Sequence, residues 1–206
     1  MTISTLFLDI GQVLVGLDYE AVLARIQTLT PLSPQEVKQR LADSPDLLLY
    51  EKGHISTLNF FRHLLDLLKM DISLDLFEKT WVSVFVLETD HGRELISPEF
   101  FRRLKAKYSV IALSNINQLH FEYLSQFHPL VNEFDEYVLS YQVGSVKPDP
   151  PIYHAALEKA NSNPQEVLFV DDRIENIEAA EKLGMGGILF VGEAQLEENL
   201  TDLGAL

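Results

Sequence analysis

Four groups of polar residues each follow a short apolar run. Asp9 follows Thr5-Leu6-Phe7-Leu8, Ser114-Asn115 follow Ser109 to Leu113, Lys147-Pro148 come shortly after Tyr137 to Ser140, and Asp171-Asp172 follow Val167 to Val170. A carboxylate, a hydroxyl, an ammonium and a carboxylate pair converging on one crevice suit phosphoryl transfer through an aspartyl-phosphate. A carboxylate nucleophile approaching an anionic phosphorus needs positive charge to offset the repulsion. A divalent cation held by Asp9 and Asp172 would supply most of it, and Lys147 more. Magnesium prefers oxygen ligands and keeps several waters, so two carboxylates and one backbone carbonyl suffice. Ser114 and nearby N–H groups would donate to the phosphoryl oxygens as charge shifts.

Such a crevice needs strands whose carboxyl ends lie side by side. The apolar runs are short and continuous, as expected of strands buried on both faces. A fifth run spans Gly187 to Val191. Between the runs, Gln118 to Gln126, Pro150 to Ala160 and Ile174 to Leu183 read as helices, and Pro98 to Lys107 reads as a helix ahead of the second strand. Strand and helix in alternation predict an α/β fold with a parallel sheet of five or more strands and right-handed crossovers. In open sheets of this kind, ligands bind outside the carboxyl ends of the strands.

From Tyr19 to Glu88 the rhythm changes. Val22, Leu23 and Ile26, and later Phe60, Leu64, Leu67 and Leu68, recur at helical spacing, punctuated by Pro31, Ser33-Pro34, Ser44-Pro45 and Lys52-Gly53. Four or so inserted helices are expected, dividing the chain into a core of residues 1–17 and 89–206 and a helical insertion of residues 18–88. Glu193 to Leu206 reads as an acidic surface tail.

The 206 residues carry 16 Lys and Arg against 31 Asp and Glu, a formal net charge of −15. That balance disfavours nucleic acid and anionic membranes, whose binding relies on cations, but permits a small anionic substrate at a locally positive site. There is no cysteine, so disulfides, thiolate nucleophiles and thiolate metal sites are excluded. The first residues lack a basic segment and the apolar stretch breaks at Asp9, so no secretory signal is expected and the expected location is cytoplasmic.

Taken in order, Asp9 and its loop, Ser114-Asn115, Lys147-Pro148 and Asp171-Asp172 resemble the motifs of the haloacid dehalogenase superfamily over almost the whole chain. The insertion is similar to that family's helical cap of the first (C1) type. The texture is similar to its small sugar-phosphate phosphatases, such as the bacterial glucose-1-phosphate phosphatases, and Tyr50-Glu51-Lys52-Gly53-His54-Ile55-Ser56 resembles their cap turn. The resemblance implies a Rossmann-like core and a Mg2+-dependent phosphatase acting on a small phosphorylated metabolite, with a sugar phosphate as the expected substrate class. It implies Asp9 as nucleophile with Ser114 and Lys147 as catalytic partners. Ser114, Asn115, Lys147, Gly11 and Gln12 would surround the substrate phosphate. Asp9, the Gly11 carbonyl and Asp172 would hold the metal, with Asp171 a secondary or water-mediated ligand.

One position departs from the family pattern. Most of its phosphatases carry a second aspartate two residues after the nucleophile, which protonates the leaving group; here that residue is Gly11. General acid help is worth roughly 10²–10⁴-fold, so good leaving groups, a water or a cap residue must make up the difference. His91 is one residue that could reach in. The gap also leaves open a catalytically weakened binding or regulatory protein, and the same nucleophile leaves open a metal-free 2-haloacid dehalogenase. Each motif residue has a plainer reading: Asp171-Asp172 or Ser114 as helix caps, Lys147 as a surface lysine, Asn176 as a helix-facing amide. Tyr19, Glu51, His54, Trp81 and Phe85 are the insertion's candidates for substrate contact, but aromatics at helical spacing are more often core than binding surface, and Trp81 and Phe85 are expected chiefly as core.

Overall fold

The computed structural model describes residues 3–85 and 95–204. Five parallel strands, β1 (Thr5–Leu8), β2 (Ser109–Ser114), β3 (Glu136–Leu139), β4 (Val167–Asp171) and β5 (Gly186–Leu189), form one sheet in the order β3-β2-β1-β4-β5. Leu8 lies opposite both Ala112 and Val170, so β1 is the centre from which the chain winds outward in both directions. This reversal opens a crevice at the carboxyl end of β1. Successive β1 side chains serve opposite faces. Leu6 and Leu8 join the larger apolar cluster, whereas Phe7 joins the cluster formed with Ile152, Tyr153 and Ile177. Burial on both faces accounts for the uninterrupted apolar runs.

Between β1 and β2 the described residues form α1 (Tyr19–Leu29), α2 (Pro34–Asp43), α3 (Asp46–Glu51), α4 (Thr57–Leu67), α5 (Leu74–Val82) and α6 (Pro98–Lys105). Five helices therefore occupy the insertion, where four or so were expected; the extra one is the six-residue α3. The expected boundary at residues 88/89, and His91, lie outside the described residues. Serine hydroxyls start four of these helices: Ser33, Ser56, Ser73 and Ser97 each accept a backbone N–H in the first turn. Each such cap stabilises its helix by about 1 kcal/mol. An aromatic cluster then ties them together, with Tyr50 stacked on Phe60 at 4.2 Å, Phe60 edge-on to Trp81 at 5.1 Å and Phe61 edge-on to Phe77 at 4.9 Å.

The remaining helices are α7 (Gln118–Phe127), α8 (Ser140–Val143), α9 (Pro150–Ala160), α10 (Ile174–Lys182) and α11 (Glu193–Asp202). The last corrects the expected acidic tail. Leu196 and Leu200, one turn apart, are buried in the main core, and Glu193 accepts hydrogen bonds from the Ser97 backbone N–H and hydroxyl. Ser140, expected to end the third strand, instead opens α8. No helix among the described residues is long and apolar enough to cross a membrane.

Candidate active site

Asp9 extends the central strand by one residue, its N–H bonding the Val170 carbonyl at 3.0 Å. That contact fixes the backbone, and the Ile10 N–H, 2.7 Å from Oδ1, fixes the side chain. Asp171 is the last residue of β4, immediately beside β1. Lys147 reaches in from the loop after α8 and buries its Nζ between them, 3.1 Å from Asp9 Oδ1, 2.7 Å from Asp171 Oδ2 and 2.7 Å from the Leu113 carbonyl. All three ammonium donors are thus used, and Phe169 lies beneath the cation at 5.4 Å. The reading of Lys147 as a plain surface lysine does not hold, since the residue is only 3% exposed.

Asp9, Asp171 and Asp172 offer carboxylate oxygens that all lie within 4.8 Å of one another. Three carboxylates against one ammonium leave a formal −2 at the crevice, the charge a divalent cation would match. The arrangement is already strained towards protonation. Burial pushes the Asp9 carboxyl up to about 6, against the pull of Lys147, with Asp171 adding to the rise. Burial and then Asp171 raise Asp172 as well. Burial opposes the charge of Lys147, but Asp9 and Asp171 outweigh it and hold the ammonium above its ordinary range.

The two neighbouring aspartates differ in their commitments. Asp171 is fully buried: Oδ2 takes Lys147, and Oδ1 accepts from the Arg173 N–H and from Asn176 Nδ2, each at 2.9 Å. Asn176, left undecided by sequence, therefore supports Asp171. Asp172 is the more exposed of the two. Neither aspartate occupies the N-cap position of α10, which is Arg173.

Ser114 ends β2, buried, with its hydroxyl on the Asp9 side, where it favours the charged form of that carboxyl. It is not the cap of the next helix; Asn117 is, accepting the His120 N–H at 2.9 Å. Asn115 does not point a free amide at the crevice. Its Oδ1 accepts the Lys147 N–H at 2.7 Å and its Nδ2 donates to the Lys147 carbonyl at 2.9 Å, so it clamps the lysine's backbone. Gln12 is likewise engaged elsewhere. It sits at φ 58°, and its carboxamide bonds both backbone groups of Leu17 at 3.3 Å, closing the loop after Asp9. Gly11 borders the crevice, and a Cβ there would lie 3.0 Å from Leu17 Cδ1.

Above these residues a cavity of about 300 Å³ opens between the sheet end and the inserted helices. Gly11, Ser114 and Asn115 lie at its floor; Tyr19, Glu51, Trp81 and Phe85 line it as well. Phe85 and Trp81 are thus both packed and cavity-facing. His54 lies in a separate hollow with Ile55 and Tyr141. Two participants were missed by sequence. His120, one turn into α7, stacks on Trp81 at 5.7 Å and meets Phe85 edge-on at 4.9 Å. Ser140, fully buried, accepts the Ile116 N–H at 3.0 Å and donates to the Glu51 carbonyl at 2.7 Å, tying the insertion to the core. The signal for His120 was its place three residues after a capping asparagine; nothing marked Ser140.

A family model described as haloacid dehalogenase-like hydrolase matches residues 7–184, which takes in all four motifs. The chain belongs to the haloacid dehalogenase-like hydrolases. It is similar to the D-ribitol-5-phosphate phosphatase of Bacteroides thetaiotaomicron, at 27% identity over 191 residues, 88% of this chain and 89% of that protein. The sesquiterpene phosphatase astK of Aspergillus oryzae is 34% identical over 88 residues, 42% of this chain and 45% of that protein. Among solved structures, a HAD family enzyme from B. thetaiotaomicron in complex with magnesium and inorganic phosphate superposes with a TM-score of 0.76 at 26% identity, over 90% of this chain and 93% of that one. Within this haloacid dehalogenase-like hydrolase, the carboxylate cluster has the oxygen-only donor set and the charge that suit Mg2+.

Proposed function

We propose that the protein is a Mg2+-dependent phosphatase of a small phosphate monoester, working through an aspartyl-phosphate on Asp9. The observation that carries this reading is the seating of Lys147 between Asp9 and Asp171, with Asp172 completing a carboxylate cluster within 4.8 Å. The names of the D-ribitol-5-phosphate and sesquiterpene phosphatases support a phosphorylated substrate. The first is named for a sugar-alcohol phosphate, in line with the sugar-phosphate expectation, and the second for a sesquiterpene, so the names of the relatives span both polar and apolar alcohol portions.

Asp9, Asp172 and the Gly11 carbonyl would hold the metal; Asp171, with both oxygens committed, serves it at most through water while orienting Lys147. When bound, the cation supplies positive charge that lets a phosphate dianion approach a carboxylate. An Asp9 oxygen forms a bond to phosphorus as the ester P–O bond breaks and the alcohol departs. Ser114 donates its hydroxyl to a phosphoryl oxygen, and Lys147 stays on the developing charge. Water then adds to phosphorus, phosphate leaves and the Asp9 carboxylate is restored. With glycine at position 11, the leaving oxygen takes its proton from water or from the cavity side. Residues 18–88 act as a cap over this floor, excluding bulk water and selecting the alcohol portion.

The decisive test is hydrolysis of 4-nitrophenyl phosphate with magnesium. Asp9→Asn should lose at least about 10³-fold in kcat with an unchanged circular dichroism spectrum, and chelation should silence the parent. Turnover by Asp9→Asn at the parent rate would falsify the nucleophile assignment. Chelator-resistant halide release from a 2-haloacid would favour the dehalogenase reading instead.

A further inference from the structure

The alcohol portion of the substrate must occupy the cavity over Gly11 and Ser114, and that cavity is poorly furnished for a polyol. Its far wall is formed by Leu23, Leu47, Trp81, Val84, Phe85 and Leu124. No lysine, arginine or aspartate lines it among the described residues. The polar groups that do are mostly engaged already. Both ends of the Asn115 amide hold the Lys147 backbone. Asn117 caps α7 and faces His120 Nδ1 at 3.1 Å. His120 Nε2 lies 3.4 Å from the Trp81 carbonyl. The Tyr50 hydroxyl bonds Thr57 at 2.9 Å.

Among the described residues that leaves, beside the floor, the Tyr19 hydroxyl, the Glu51 carboxylate and Trp81 Nε1, the last buried without a partner. Three scattered groups cannot satisfy hydroxyls on every carbon of a sugar chain, and a buried hydroxyl without a partner is unfavourable. Apolar surface, by contrast, is favoured there, and the volume lies at the lower end of the range typical of small-ligand pockets, about 300–1,000 Å³.

Resting on the phosphatase reading, we propose that this site selects phosphate monoesters whose alcohol or phenol portion is apolar, rather than phosphorylated polyols. The phosphate sits on the polar floor and the hydrocarbon or ring enters the cavity towards Trp81 and Leu47. Lacking an acid at Gly11, the floor adds a preference for leaving groups that depart with little protonation, which phenols satisfy better than aliphatic alcohols.

The test uses phenyl, 4-methylphenyl, 4-ethylphenyl and 4-propylphenyl phosphates, whose leaving phenols hardly differ in acidity, so that any trend reports contact. With magnesium, kcat/KM should rise about fourfold per added carbon until the cavity fills, and D-ribitol 5-phosphate should be slower than any member. A flat or falling series, or faster ribitol 5-phosphate, overturns the proposal while leaving the phosphatase reading intact. If no ester is hydrolysed, including 4-nitrophenyl phosphate, the phosphatase reading fails, and binding decides this one. Trp81 is the chain's single tryptophan, so its emission reports occupancy directly. In Asp9→Asn with magnesium, the corresponding 4-alkylphenylphosphonates should shift that emission with Kd falling about fourfold per carbon; no emission change across the series overturns the proposal. Leu47→Gln, or Leu23→Gln should the first fold poorly, should flatten both slopes.

Discussion

The floor of the crevice and its roof are built on opposite principles. On the floor, Lys147, Asp171, Asn115 and Asn176 bind one another, and of their side-chain polar atoms Asn176 Oδ1 alone is buried without a partner. On the roof, Leu23, Leu47, Val84, Trp81 and Phe85 surround open volume and hold almost nothing by direction. A buried polar network stands in one geometry because each misplaced member leaves another unpaired. An apolar wall tolerates rearrangement provided its volume is kept. The comparison teaches a division of labour: the core can keep one reaction geometry while the insertion changes what it accepts.

The strongest way to break the contrast is to cut the floor. Asp171→Ala removes one of the three partners of Lys147 Nζ and leaves the Arg173 N–H and Asn176 Nδ2 unmet. Breaking a buried pair by deleting one member costs about 3–5 kcal/mol. At roughly 2–4 °C per kcal/mol for a chain this size, the melting temperature should fall by about 6–20 °C. Leu47→Ala, partly buried in the roof, should cost clearly less in the same calorimetric scan. Equal losses would mean that the network is no more exacting than the wall.

Next in size is the proton missing from the floor. In Gly11→Asp a new Cβ meets only Leu17 Cδ1 at 3.0 Å, the end of a flexible side chain, so the loop can accept it. A carboxylic acid there should speed esters of poorly leaving alcohols by about 10²-fold while changing 4-nitrophenyl phosphate little. A uniform change across both substrates in steady-state assays would place the acid elsewhere.

The roof has its own sensitive point in His120. Burial holds its imidazole down, to about 4 from an ordinary 6.5, against the Trp81 carbonyl, which favours the charged form. The unfolded chain therefore takes up a proton more readily than the folded one. Stability from this group is intact above about pH 6.5 and is lost as pH falls towards 4. Between pH 7 and pH 5 the loss should be about 2 kcal/mol. Urea titrations of the parent and His120→Gln at both pH values should differ by that amount; parallel pH dependence in the two would show His120 to be solvated.

Much of the floor was legible in the sequence because strand ends and chemistry coincide there. Burial on both faces makes each strand a continuous apolar run, and the polar residue that ends the run is the one delivered to the crevice, as with Asp9, Ser114 and Asp171. What could not be read was commitment. The family resemblance puts Gln12 and Asn115 around the phosphate, with a loop-holding role as the plainer reading of Asn115; their amides hold Leu17 and Lys147, partners that become neighbours only after folding. In sequence α11 reads as a tail because its acidic residues outnumber the two leucines that dock it. The roof was the least legible region. Helical spacing identifies an apolar face but not whether that face meets another side chain or an empty volume, so Trp81 and Phe85 read chiefly as core although both also line the cavity.

The smallest expected effect concerns the joint between the two regions. Ser140 spans it, accepting the Ile116 N–H on the core side and donating to the Glu51 carbonyl on the insertion side. Close by, Gly53 at φ 67° lets the insertion's turn pass where a Cβ would lie 2.1 Å from the Tyr141 carbonyl oxygen. Ser140→Ala leaves a buried N–H unpaired, for a loss of about 1–2 kcal/mol, yet touches neither the carboxylates nor Lys147. If the insertion selects and the core reacts, this variant should raise KM for 4-propylphenyl phosphate several-fold while kcat for 4-nitrophenyl phosphate stays within about twofold. A matching fall in kcat would show that the seat of the insertion also sets the geometry of the floor, and the two regions would then have to be treated as one.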